Sequence, residues 1–158
     1  MPHRSRLSSA ITEAAAPAAR GGLADSLVEL SRLRDPDALH AGICRAAGHV
    51  LALDAVALVR LSPEGIACDG RWARLGARPN RVGEARMAMA VEICHDAGGV
   101  VAQRVFGRLQ LVAIPVHVDG VISHVLAATA RPDRLLTEPE LADAAVLGAH
   151  AGACMEMV

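Results

Sequence analysis

The stretch from Leu109 to Arg131, LQLVAIPVHVDGVISHVLAATAR, constrains the fold most. Two apolar runs flank Asp119-Gly120, and Asp-Gly between apolar runs is a strong signal for a two-residue hairpin turn. Neither arm alternates cleanly between apolar and polar residues. Both faces of this hairpin are therefore expected to be covered, as in the central strands of a sheet with layers on both sides.

The rest of the chain supplies those layers. Leu23, Leu27 and Leu30 recur at helical spacing and predict a helix over Leu23 to Leu33. Asp35-Pro36 restarts the chain, with Asp35 as a cap and Pro36 at the first helical position of a second helix running to about Leu51. Ala55 to Leu61 reads as a strand, Ser62-Pro63-Glu64-Gly65 as a turn, and Ile66 to Trp72 as a short returning strand. Residues 73 to 82 read as a loop. A helix over Glu84 to Ala97 ends at Gly98-Gly99, and Val100 to Val105 precedes the hairpin as a further strand. Thr137 and Glu140 form a capping box that opens a last, alanine-rich helix. The order is α-α-β-β-α-β-β-β-α, an α+β class. Residues 1–22 read as a flexible tail and residues 23–158 as one domain, a size that fits a single core.

Composition excludes several functions. Aromatic residues are 1% of the chain, Trp72 and Phe106 with no tyrosine, so base-stacking platforms for nucleic acid are missing. A net charge of -1 provides no field that would draw the protein to nucleic acid or anionic membrane. No apolar run has the length of a membrane span. Cys44, Cys68, Cys94 and Cys154 are scattered without a C-x-x-C, which suits free thiols in a reducing, cytoplasmic setting. No Walker loop, G-x-G-x-x-G or nucleophile-histidine-acid order is present, so no catalytic residue is expected. His40 with Cys44 and His150 with Cys154 have helical i, i+4 spacing but no further ligands near them in sequence, and no metal centre is expected.

Ala113-Ile114-Pro115-Val116, then Asp119-Gly120, then Val125-Leu126, followed by Leu135-Leu136-Thr137-Glu138-Pro139-Glu140-Leu141, resemble the hairpin and last-helix motifs of GAF domains. The resemblance spans about residues 23 to 158. It implies an antiparallel GAF- or PAS-like sheet, with terminal helices on one face and a small-molecule pocket on the other. A PAS-like or profilin-like sheet is the structural alternative. His124 stands where the GAF pattern has glycine. Cys94-His95 resembles the bilin-attachment dipeptide of phytochrome-like members, but it sits on a different helix, and few aromatics remain to pack a tetrapyrrole.

Two groups of residues are expected to serve a ligand. Counting outward from a two-residue turn puts His117 and His124 on one face, diagonally across the hairpin, with Ala113, Pro115 and Leu126. Two imidazoles there could bind a metal or donate to an anion. Arg74, Arg78 and Arg81 lie between Arg71 and Arg86, in the segment that the resemblance places as the pocket's roof, and arginine suits oxyanions. The expectation is a small ligand, an anion among the candidates, between the sheet and residues 71–86; no particular cofactor is indicated. Leu27, Ala144, Gly148 and Gly152 are expected at a homodimer interface of terminal helices. With no output module in the sequence, a kinase or transcription-factor partner would carry the signal. An interaction module with a degenerate pocket is the alternative, and a redox enzyme using Cys68 or Cys94 the remote one.

Overall fold

The computed structural model describes residues 22–77, 82–131 and 133–158. The tail expected over 1–22 lies, apart from Gly22, outside the described residues, as do Arg78 and Arg81. The elements are α1 (22–32), α2 (Pro36–Val50), β1 (Ala55–Ser62), β2 (Gly65–Ala73), α3 (Glu84–Asp96), β3 (Ala102–Phe106), β4 (Leu109–Val118), β5 (Val121–Ala130) and α4 (Glu138–Glu156). This is the order expected from the sequence.

Local chemistry sets most boundaries. The Asp35 carboxylate accepts from the Ala38 N–H, and Pro36 opens α2. The Thr137 hydroxyl accepts from the Glu140 N–H, while the Glu140 side chain accepts from the Thr137 N–H, the reciprocal capping box. Val118 pairs with Val121 across Asp119 and Gly120, whose φ angles of 53° and 77° are those of a type I′ turn.

The five strands form one antiparallel sheet in the order β2-β1-β5-β4-β3. One face carries Val56, Leu58, Val112, Ile114, Val116, Leu126 and Ala128 against α1, α2 and α4. The other carries Ala55, Ala57, Val59, Leu111, Ala113, Val125 and Ala127 against Met87, Ala90, Ile93 and Cys94 of α3. β4 and β5 are therefore buried on both sides, as their unbroken apolar runs imply. Each fully buried aliphatic side chain contributes about 1.5–3 kcal/mol relative to exposure.

Two register shifts interrupt the sheet. Leu58 pairs with Gly70 but Val59 with Cys68, so Asp69 is an extra residue in β2. Val116 pairs with His124 but His117 with Ile122, so Ser123 is an extra residue in β5. Because side chains alternate with a period of two, each bulge exchanges the faces of all residues beyond it. The expected grouping of the hairpin is corrected accordingly. Ala113 faces α3 as expected, but Val125 faces α3 and Leu126 faces the terminal helices, the reverse of an unbroken register.

The small residues of α4 are used inside the domain. A Cβ on Gly148 would meet the Pro115 carbonyl, and one on Gly152 would meet the His117 carbonyl. Ala144 is fully buried, and Leu27 packs on the helix-side core. The close approach made possible by Ala144, Gly148 and Gly152 is to β4 of the same chain, which takes these residues out of an intermolecular contact. The outward side of α4 instead presents Ala142, Ala145, Val146, Ala149 and Ala153, all exposed.

Candidate functional site

α3 sits directly on its face of the sheet. Ala55, Ala57, Ala113 and Ala127 are small enough to admit it, and Met87 and Ile93 fill the space between. The open volume on this side lies instead beyond the C-terminal end of α3. A cleft of about 510 Å³ runs between that end and the β4–β5 hairpin, lined by Leu61, Val91, Ile122, Val125, Gly98, Gly99 and Gly120, with Cys94, His95 and His117. Gly98 and Gly99, at φ 78° and 79°, turn the chain away from α3 and leave this end open. His95 and His117 are exposed, whereas Cys94 is buried. Burial raises the pKa of the Cys94 thiol, so that it is a weak nucleophile at neutral pH. None of the residues lining this cleft is acidic.

His117 and His124 do not share a face. His117 lines the cleft on the α3 side. His124 lies on the helix side, where its ring stands 6.0 Å from that of His40 on α2. The extra residue Ser123 causes the separation, since it inserts one residue between the two pairings. His124 Nε2 is 2.9 Å from Asp69 Oδ2, and its Nδ1 is 2.8 Å from Ser123 Oγ. Burial lowers the His124 pKa; the bond and charge of Asp69 oppose that shift, and the nearby His40 and Arg60 charges add to it. One donor atom from each of His40, Asp69 and His124 lies within 4.8 Å of the other two. Sequence reading missed this cluster, although Gly70 inside a strand was a signal for the bulge that presents Asp69.

The described arginines of the expected roof are engaged within the protein. Arg71 Nη1 donates to the Val82 carbonyl at 2.6 Å, and Arg74 Nε donates to the buried Asp54 carboxylate at 2.6 Å. Arg74 also lines a second cleft of about 490 Å³, with His49, Asp54, Trp72, Arg131 and Arg134. There Arg134 donates to the Leu51 and Ala52 carbonyls and pairs with Glu140. Much of the positive charge in that cleft is thus already compensated, and neither histidine of the hairpin reaches it.

No protein-family model matches the chain, and no curated protein matches it in sequence. Solved structures do match in fold. A GAF domain of a protein described as a sensor histidine kinase from Pseudomonas syringae pv. tomato superposes with a TM-score of 0.65 at 17% identity, over 93% of each chain. The GAF domain of an Acinetobacter phosphoenolpyruvate-protein phosphotransferase has a TM-score of 0.65 at 10% identity, over 86% of this chain and 91% of that one. A cyanobacteriochrome GAF domain has a TM-score of 0.62 at 15% identity, over 80% and 92%. The chain has the fold of a GAF domain. Among the described residues no helix is long and apolar enough to cross a membrane.

Proposed function

We propose that this GAF-fold domain is a cytoplasmic regulatory module that binds a small molecule and reports its presence to a partner protein or a second copy of itself. The observation that carries this reading is the cleft at the end of α3: an aliphatic wall, two imidazoles and no carboxylate. That lining suits a molecule with a small apolar body and an anionic group, toward which His95 and His117 donate. The folds it resembles come from proteins described as a sensor kinase, a phosphotransferase and a photoreceptor, which supports a sensory role. In this reading the domain binds and signals rather than catalyses. Ligand seated against Gly98, Gly99 and Ile122 would bias the position of α3 against the hairpin, and the hairpin backbone touches α4 through His117 and Gly152.

A thermal-shift screen of organic anions tests it. A ligand at a hundred times its Kd raises stability by about 2.7 kcal/mol. The expected result is a hit that is weakened by both His95→Gln and His117→Gln. A hit indifferent to both substitutions places the ligand elsewhere and overturns the cleft reading.

The filled space under α3 favours a second reading, a protein-interaction module whose working surface is α4. Its exposed Ala142, Ala145, Val146, Ala149 and Ala153 form an apolar stripe suited to a homodimer or to a helix of a kinase or transcription factor. Light scattering of the native chain and of Val146→Glu separates the cases. A native dimer made monomeric by the substitution supports homodimerisation, and a native monomer excludes it.

A further inference from the structure

The helix-side cluster is built by three separate departures from regular structure. The bulge in β2 presents Asp69, the bulge in β5 turns His124 to the helix side, and Gly70 allows the α2 backbone close to the strand. A Cβ on Gly70 would lie 3.0 Å from the His40 carbonyl oxygen. Bulges re-aim side chains at a cost in ladder hydrogen bonds, and both register shifts of this sheet meet at one place. Between them lies Arg60, paired in register with His124 on one side and Ala67 on the other. The side chains of Asp69 and His124 are 14% and 12% exposed, shielded but reachable.

We propose that His40, Asp69 and His124 form a binding site for a first-row divalent transition ion, zinc above all, that fastens α2 to the sheet. Two imidazoles and one carboxylate select such ions over magnesium and calcium, which prefer all-oxygen sites. Ligand atoms of a tetrahedral zinc site sit about 3.3 Å apart, since each bond is about 2.0–2.2 Å. The three donors, within 4.8 Å of one another, reach that spacing by side-chain movements of about an ångström. The metal-free contacts already hold the ligands ready. The hydrogen bond from His124 Nε2 to Asp69 keeps two of them adjacent, with the Ser123 hydroxyl donating to Nδ1. On binding, the imidazole takes its other neutral tautomer: Nδ1–H donates to Ser123 Oγ and Nε2 gives its lone pair to the ion. Three protein ligands leave a fourth position for water or a ligand group. Arg60, 55% exposed and 3.7 Å from Asp69, is free to swing outward, and its charge sets affinity lower than the donor set alone would give. The site does not depend on the cleft reading, because it lies on the opposite face of the sheet.

The test is calorimetric titration of the tag-free full chain with zinc and cobalt(II), together with the cobalt absorption spectrum. One ion should bind per chain, with nitrogen and oxygen ligation and no thiolate charge-transfer band. Removing the supporting hydroxyl by Ser123→Ala should weaken binding about 10-fold or more. His40→Gln and Asp69→Asn, which remove ligands, should weaken it further. Arg60→Gln should tighten it, an outcome that a merely structural histidine cluster does not produce. The near-isosteric variants are checked for folding by metal-free circular dichroism, and any one that remains folded is sufficient for the comparison. No binding at millimolar ion, a thiolate band, or affinity unchanged by both ligand substitutions overturns the proposal.

Discussion

Gly152 of α4 lies directly against the backbone carbonyl of His117 in β4, with no room between them for a methyl group. Gly148, one turn earlier, meets the Pro115 carbonyl in the same way. The helix therefore rests on backbone rather than on side chains over this part of β4. Gly152→Ala should lift α4 and cost about 1–3 kcal/mol, the usual penalty of overpacking. Urea denaturation measures the loss. Ala153→Ser, on the exposed side, should change stability by less than about 0.5 kcal/mol, and equal effects at the two positions would contradict this packing.

The connection from β5 to α4 is latched by two glutamines. Gln103 accepts from the Leu136 N–H and donates to its carbonyl, at 2.9 and 3.0 Å. The fully buried Gln110 carboxamide lies 2.8 Å from that of Gln103 and within 2.7 Å of the Arg131 and Arg134 carbonyls. Gln103→Leu strands the polar groups it served and should cost about 1–3 kcal/mol, with faster amide exchange at Leu136. Exchange at Leu136 unchanged from the native rate would show that the latch is not restraining this segment.

The start of α4 depends on Thr137. Thr137→Ala removes the acceptor for the Glu140 N–H and should destabilise by about 1 kcal/mol. Thr137→Ser keeps the acceptor and should restore most of the loss. Thermal unfolding of the pair distinguishes a lost cap from a lost methyl group.

The four thiols should differ sharply in reactivity. Cys68 is half-buried, whereas Cys44, Cys94 and Cys154 are buried, and Cys68 should be alkylated first in the native state. Burial pushes the Cys44 thiol up to about 12. The unfolded chain therefore ionises this group first, from about pH 9, and binds fewer protons than the native one. Its contribution to stability is complete below that value and is lost as pH rises toward 12, by at most about 1.4 kcal/mol per unit. The chain has no lysine and no tyrosine whose ionisation would overlap this window. Cys44→Ala should flatten the alkaline decline in stability.

The features legible in the sequence were those written by neighbouring residues. The Asp119-Gly120 turn, the Asp35 cap, the Thr137–Glu140 box and the Gly98-Gly99 stop each rest on chemistry within a few positions. The bulges were not legible in the same way, because an extra residue is extra only relative to a partner strand. Without them, His117 and His124 read as a pair. With them, His124 joins His40 and Asp69, residues distant in sequence, and His117 joins His95. Of the expected arginine roof, Arg74 was not legible for a related reason: Asp54, twenty positions upstream, pairs with it, and no local pattern announces that pairing.

Ser123 gives the sheet a point at which the phase of β5 is reset. Toward the turn from it, the tip of the hairpin borders the cleft; away from it, Leu126 and Ala128 hold the helical layer in fixed alignment. The tip can thus be exchanged as a cassette, reshaping the cleft, while the cluster beneath α2 keeps its orientation. Deleting Ser123 alone would remove that independence, because restoring strict alternation forces one half of the strand to turn over for the sake of the other.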